Sequence, residues 1–413
     1  MRRVVVTGCG AITPLGNDVK TTWEKLLKGE SGIDTIKSFD TSNHTVKIAG
    51  EIKDFNPETK FDPKILKRLD RCVVLCLWAT TEAIEDAQLD FNQFDKDRIG
   101  VIIGSGIGGL LTWEAEHTKF IEKGPARVSP FLIPMMIPDM TSGYVAIHWG
   151  LKGPNYTTVS ACASGAHAIG DAFRAIKYSD ADIVVTGGSE APVTPFALAG
   201  FSNMRALSRR NDEPQKASRP FDKGRDGFVM AEGSAILILE ELECARKRNA
   251  KIYAECIGYG STGDGYHITA PAPEGEGARR SMERSLKEAG CRYNDINYVN
   301  AHGTSTDLND KFEARAIKDL FAEHAKNLVI NSTKSMIGHS LGAAGAIESV
   351  VSSLSIRDQI VHPTINLENP DTECEGLDFV VGAARKTTIN YAISNSLGFG
   401  GHNVTLCFKR FTQ

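Results

Sequence analysis

The chain has 413 residues, 41% hydrophobic and 24% charged, with a formal net charge of −4; it can bury a large core, fits two domain-sized units better than one, and is not a disordered chain. The small charge supplies no global field for nucleic acid or an anionic membrane, and no run approaches the roughly 20 apolar residues that cross a bilayer. Nine scattered cysteines without paired spacing argue against a disulfide scaffold or zinc site, so a reducing, cytoplasmic setting is expected.

In chain order, residues 3–7 read as a first strand, their apolar run too short for a secretion signal. A helical pattern follows over 73–88, with Cys72 and Cys76 on one face and no partner pair or histidine to complete a metal set. After a strand at 98–103, Gly104-Ser105-Gly106-Ile107-Gly108-Gly109 has dinucleotide-fingerprint spacing, but the region about 20 residues on, where an acid should end the next strand, is Val128-Ser129-Pro130-Phe131 in a Pro-rich stretch. These glycines read as a close backbone approach near a pocket. His117, beside Glu114 and Glu116, reads as a solvated helix face.

A β-favouring run at 156–159 stops at small residues, and a helix follows over 166–178. Strands follow at 182–186 and 235–240, separated by a polar stretch at 206–225 that reads as an exposed loop or lid. Beyond a charged, hinge-like segment at 246–250 the pattern restarts, with strands at 252–258, 298–299 and 329–330 and a helix at 277–290. A strand running through Ser into a helix of small residues occurs at 159–172 and again at 329–347. Helices of such residues pack closely on all sides, which points to a duplicated, layered α/β fold with halves 1–250 and 251–413.

Cys162 lies at the strand-to-helix turn of the first copy. Free amides and the positive dipole end there predict a thiol more acidic than usual, a candidate nucleophile; the bland reading is a small core residue. His302, in Asn300-Ala301-His302-Gly303-Thr304-Ser305-Thr306, and His339, in Ser332-Thr333-Lys334-Ser335-Met336-Ile337-Gly338-His339, both follow strands, the edge where ligands gather in α/β sheets. Either alone reads as structural. Together with a thiol and Lys334 they form a set that packing rarely requires. Amides of the loop Gly398-Phe399-Gly400-Gly401-His402 can bind an oxyanion.

These motifs, with Val159-Ser160-Ala161-Cys162, Val4-Val5-Val6-Thr7-Gly8-Cys9-Gly10 and Ser218-Arg219-Pro220-Phe221-Asp222-Lys223, resemble the β-ketoacyl-acyl carrier protein synthases of the elongating, decarboxylating type, nearly end to end. The resemblance implies a thiolase-like fold of duplicated α/β halves in a five-layer α-β-α-β-α sandwich, a homodimer, and acyl carrier protein as partner. Substrates would arrive on its phosphopantetheine, with no other cofactor and no metal.

It further implies Cys162 as acyl-carrying nucleophile, His302 and His339 as enolate-stabilising donors, and Lys334, paired with Glu348, as the group that orders them; a plain buried ion pair is the alternative for Lys334. The amides of Cys162 and Phe399 would form an oxyanion hole, with Phe399 also a gate. Thr304 and Thr306 would hold pantetheine, Ile107 and Phe399 would line the acyl pocket, and Lys64, Lys67 and Arg68 on one helical face, with Arg127 and Arg205, would dock the carrier protein. A solvated charged face is the alternative for the dock.

Two histidines and no cysteine in the 398–402 loop set the chain apart from thiolases, and His339 from initiating synthases that resemble a Cys, His, Asn set. Ser160-Ala161-Cys162-Ala163-Ser164 and Asn300-Ala301-His302 favour fatty acid elongation over the alternative, a type II polyketide ketosynthase. A non-catalytic chain-length partner would lack Cys162, and an acyl-binding scaffold would not need both histidines with Lys334. His402 departs from the usual Thr after the glycines.

Overall fold

The computed structural model describes residues 1–412. The elements that build it are β1 (Val4–Ile12), α1 (Arg71–Ala87), β2 (Ile99–Gly104), α2 (Leu110–Lys123), α3 (Met140–Trp149), β3 (Asn155–Thr158), α4 (Ser164–Lys177), β4 (Ile183–Glu190), β5 (Gly233–Glu241), β6 (Ala254–Gly263), α5 (Glu276–Ala289), β7 (Tyr298–Asn300), α6 (Asp307–Phe321), β8 (Val329–Asn331), α7 (Ala344–Asp358), β9 (Asp378–Phe379), β10 (Tyr391–Gly398) and β11 (His402–Lys409).

The strands run β9-β8-β7-β10-β11-β6-β1-β5-β4-β2-β3. Two half-sheets meet where Val4, Val5 and Val6 pair with Cys256, Glu255 and Ala254. In one half β4, β2 and β3 are parallel, and in the other β10, β7, β8 and β9 are parallel. Parallel strands bring their C-terminal ends to one edge, and the loops that leave those ends build the site.

Helices α4 and α7 lie between the half-sheets, α1 and α3 cover the outside of the first, and α5, backed by α6, covers the outside of the second. This is the five-layer thiolase-like arrangement. Three apolar clusters fill the gaps, the central one gathering Ile169, Ala172, Ala346 and Ile347 with strand residues of both halves. Gly165 and Gly345 let α4 and α7 touch, because a Cβ on Gly345 would come within 2.8 Å of Ala166 Cβ. Ile347, Val350, Val351 and Leu354 of α7 are buried, and each is worth about 1.5–3 kcal/mol relative to an exposed position.

The duplication extends to outer packing. A Cβ on Gly10 of β1 would strike the Ala79 carbonyl of α1, and one on Gly260 of β6 would strike the Ser281 carbonyl of α5. Each half thus seats its outer helix on a glycine of its first strand.

Two expectations change. The 206–225 stretch is not an open lid: Ala217, Ser218, Arg219, Pro220, Phe221 and Asp222 are buried, and Arg219 donates to Asp222 (2.9 Å), so internal pairing carries these polar residues into the interior. The 246–250 segment is no hinge, since it ends the helix Leu242–Lys247, and the Ala250 amide closes onto the Ala245 carbonyl (2.9 Å). A helix, α2, does open after Gly109, but the glycine amides are spent inside the protein, Gly109 donating to the Met136 carbonyl (2.9 Å) and Gly106 to Glu190 (2.6 Å), so no cradle for phosphate is left. His117 is exposed and stacks on Trp113, centroids 5.2 Å apart.

Candidate active site

Cys162 sits in a tight turn, Ala161–Ala163, that feeds α4. Ala161 has φ of 51°, a left-handed conformation costing a non-glycine residue on the order of 1 kcal/mol or more. Side chains hold the turn: the Ser164 hydroxyl donates to the Ala161 carbonyl (2.7 Å) and accepts from the Ser160 amide (2.9 Å). The second copy repeats this geometry at Leu341–Ala343 ahead of α7, with Leu341 at φ 45°. The strain aims the Cys162 sulfur into a cavity of about 460 Å³.

His302 and His339 line the same cavity, 1% and 2% exposed, with ring centroids 5.3 Å apart and nearly perpendicular planes. The structure therefore brings a sulfur from the front half and two imidazoles from the back half into one chamber. The His302 loop is fixed from behind by Glu313 of α6, whose carboxylate accepts from the amides of His302 (2.8 Å) and Gly303 (2.9 Å) and from Asn395 (3.1 Å). Asp310, one turn earlier, accepts from the amides of Thr304, Ser305 and Phe221. His339 is placed by its backbone, its amide donating to the Val229 carbonyl (2.7 Å). Neither ring nitrogen of His339 has a partner among the described residues, which leaves the ring free for a ligand.

Lys334 is buried beneath the pair. Its ammonium donates to Glu348 and to the His302 carbonyl (2.7 Å), and lies 3.2 Å from His302 Nδ1. An ammonium has only donors, so Nδ1 must be the unprotonated acceptor and Nε2 carries the hydrogen. Burial, and then the Lys334 charge, hold both imidazoles well below the ordinary histidine range; for His302 the neighbouring His339 adds to this. Both rings are neutral at physiological pH. The Glu348 carboxyl is pushed up to about 7 by burial, with Lys334 pulling it down. Lys334→Ala leaves that carboxyl without its cation, so chemical denaturation should show a loss of about 3–5 kcal/mol, and Glu348→Gln on the same chain should return part of it.

The thiol corrects an expectation. Burial pushes Cys162 up to about 12, against the opposing pull of Lys334 and of the Phe399 and Cys162 amides. The helix-start argument fails because those amides act on a sulfur from which water has been removed. Alkylation of the free protein by iodoacetamide should thus rise about tenfold per pH unit from pH 7 to pH 10, and a plateau near the ordinary thiol range would contradict this.

The amides of Phe399 and Cys162 converge on the sulfur. Gly398 makes that approach possible, since a Cβ there would lie 2.8 Å from the Ser160 carbonyl and 3.3 Å from the Cys162 amide. Phe399 is half-buried on the cavity wall, Ile107 lines the wall from the glycine-rich turn and is 37% exposed, and Thr304 and Thr306, hydroxyls 2.8 Å apart, also line the cavity.

Arg205 lines the cavity too, whereas Lys64, Lys67, Arg68 and Arg127 are exposed on the surface. Lys64, Lys67 and Arg68 do not share a helical face: the helix is only Pro63–Leu66, a single turn started by Pro63, and Arg68 lies over the Phe131 ring at 4.9 Å. Exposed His402 stands 6.3 Å from half-buried His167, ring to ring.

Sequence reasoning missed Glu190, Asp310 and Glu313. The last two lie three apart on α6, a spacing that puts both on one helix face just after the His302 motif. That acidic face was the available signal.

Comparison with known proteins matches the Beta-ketoacyl synthase N-terminal domain over residues 1–245 and its C-terminal domain over residues 253–368. The chain belongs to the β-ketoacyl synthase family. Among its relatives, the 3-oxoacyl-[acyl-carrier-protein] synthase 2 of Staphylococcus aureus (strain COL) is 56% identical over 410 residues, 99% of each chain. That of a Synechocystis strain is 53% identical over 99% of this chain and 98% of its own. Similar solved structures include a β-ketoacyl synthase from Burkholderia phymatum STM815 (TM-score 0.93, 34% identity) and a ketosynthase in complex with its type II polyketide acyl carrier protein (TM-score 0.92, 35% identity), each covering 100% of both chains.

Proposed function

We propose that the protein lengthens fatty acyl chains by decarboxylative condensation, forming 3-oxoacyl-acyl carrier protein. The supporting observation is the meeting of Cys162, His302 and His339, all buried, on one cavity. The Cys162 sulfur attacks the acyl thioester on phosphopantetheine, the tetrahedral oxyanion rests on the amides of Cys162 and Phe399, and the thiol proton leaves with the pantetheine sulfur. Malonyl thioester then places its carbonyl oxygen on the Nε2–H groups of His302 and His339. The bond to the carboxylate breaks, carbon dioxide departs, and its electrons form an enolate held by those two neutral donors. The enolate carbon attacks the acyl carbon, and the expelled Cys162 thiolate takes up a proton from solvent.

Lys334 acts by fixing the His302 tautomer, Thr304 and Thr306 hold the pantetheine arm, and Phe399 gates the chamber. Identity of 53–56% to the 3-oxoacyl-[acyl-carrier-protein] synthase 2 relatives, against 35% to the ketosynthase of the type II polyketide complex, favours elongation over the polyketide alternative. Labelled malonyl- and acyl-carrier proteins test the reading: it requires carbon dioxide together with a 3-oxoacyl product, and an inert mixture rejects it.

We also propose a homodimer. The outer edge of β3 is unpaired among the described residues, and Tyr156 and Val159 on and after it, with Ile147 on the neighbouring α3, expose apolar surface, 69% for Ile147. The division into halves 1–250 and 251–413 rests on the duplicated turns. No helix among the described residues is long and apolar enough to cross a membrane, and we place the protein in the cytoplasm.

The substrates arrive on acyl carrier protein, and the reaction as written draws on no free cofactor or metal. The carrier docks on Lys64, Lys67, Arg68, Arg127 and Arg205. Charge reversal at Lys67 and Arg68 together should raise KM for carrier-bound substrate by about fivefold at low salt, with less effect at high salt. An unchanged KM at low salt would reject this dock.

A further inference from the structure

Glu190 ends β4 beneath the cavity and is fully buried, yet it has no salt bridge among the described residues. Its charge is held by four neutral donors. Oε1 accepts from the Ser105 hydroxyl (3.1 Å) and the Ile107 amide (3.1 Å), and Oε2 accepts from the Gly106 amide (2.6 Å) and the Gly342 amide (2.9 Å). The Ser105 hydroxyl also accepts from the Gly108 amide (3.2 Å). The carboxylate therefore ties the glycine-rich turn, whose Gly106 and Ile107 line the cavity, to the second-copy turn, whose Leu341 lines it too. There is no slack: a Cβ on Gly106 would lie 2.8 Å from Oε2, and one on Gly342 would strike both Oε2 and the Gly106 amide. Burying an uncompensated carboxylate is costly, and satisfying it with backbone amides fixes those amides in space.

We propose that Glu190 is a positioning residue that sets how far an acyl chain enters the cavity, by pinning the turn that carries Ile107 against Gly342. This rests on the acyl-transfer reading above. An acyl chain that passes the Ile107 side chain must swing it aside or displace this turn, and displacement breaks the Ile107-to-Oε1 hydrogen bond.

Glu190→Gln tests this through a specific asymmetry. The new amide nitrogen cannot face Gly106 and Gly342, both of which only donate, so it turns towards the Oε1 position, where the Ser105 hydroxyl can rotate and accept. The Ile107 amide alone then loses its acceptor. We expect hydrogen exchange at Ile107 to quicken, and the ratio of kcat/KM for acyl carrier proteins with long chains over short chains to rise about fivefold, through KM for the long chains. Ser105→Ala, which leaves three amides on the carboxylate, should shift the ratio the same way by less. A uniform fall for all chain lengths, or a lowered Tm with an unchanged ratio in both variants, means that Glu190 only supports the fold and overturns the proposal. A wild-type protein that forms no 3-oxoacyl product from any chain overturns the underlying reading instead.

Discussion

Cys162→Ala should lower 3-oxoacyl product formation by about a thousandfold or more, because no other group in the cavity can carry the acyl chain as a thioester. The same variant should still release carbon dioxide from malonyl-acyl carrier protein, since both imidazoles and Lys334 are untouched. Product and carbon dioxide scored separately from one labelled substrate check this. A variant that condenses at the wild-type rate would remove the sulfur from the mechanism. The substitution is mild for the fold: Cys162 is a small residue followed by Ala163, both packed at the start of α4.

The complementary result is expected from the imidazoles. His302→Ala or His339→Ala removes one of two donors aimed at a developing oxyanion in a dry site, a loss of about 100- to 1,000-fold in decarboxylation. Acylation of Cys162, read as a burst of labelled acyl-enzyme, should survive, because its oxyanion rests on backbone amides. The double variant should lose far less than the product of the two single losses, as groups serving one oxygen act as a unit. The pH profile carries a sign as well. Burial and Lys334 disfavour the protonated rings, so decarboxylation should show no acid limb on falling through pH 6.5. Lys334→Met removes a lowering influence and should move that limb to higher pH. A wild-type limb at the ordinary histidine range would mean that the rings are not neutral donors held as described.

The cavity residues were legible because each sits in a short motif at a strand end: a sulfur among small residues, and two histidines beside glycine. The layered fold was legible for a related reason, since α4 and α7 are written in Ala, Gly and Ser, which only a helix packed on several sides can use. What was not legible is how the loops are held. Glu190 reaches Gly342, 152 positions away, and Glu313 reaches backbone amides that carry no signature in a sequence. Acidic residues on a helix normally read as a wet face, and here burial reverses that meaning. The 206–225 stretch misled in the same manner, its arginines and aspartates being paired internally. The thiol misled because dipole arguments describe the field at the sulfur while its desolvation depends on neighbours from the other half of the chain. The strand β11, flanking β10 in the second half-sheet, carries Val404, Leu406 and Phe408 at alternate positions, yet Asn403, Thr405 and Cys407 on its other face are buried as well.

The turns at Ala161 and Leu341 share one geometry, and the position matching Cys162 in the second copy is Gly342, where any side chain would collide with Gly106 and Glu190. That socket is closed and serves as masonry for its twin, so a twofold architecture carries one thiol-bearing chamber. Placing a thiol at the closed socket would not double the output; it would push the wall into the chamber that holds Cys162.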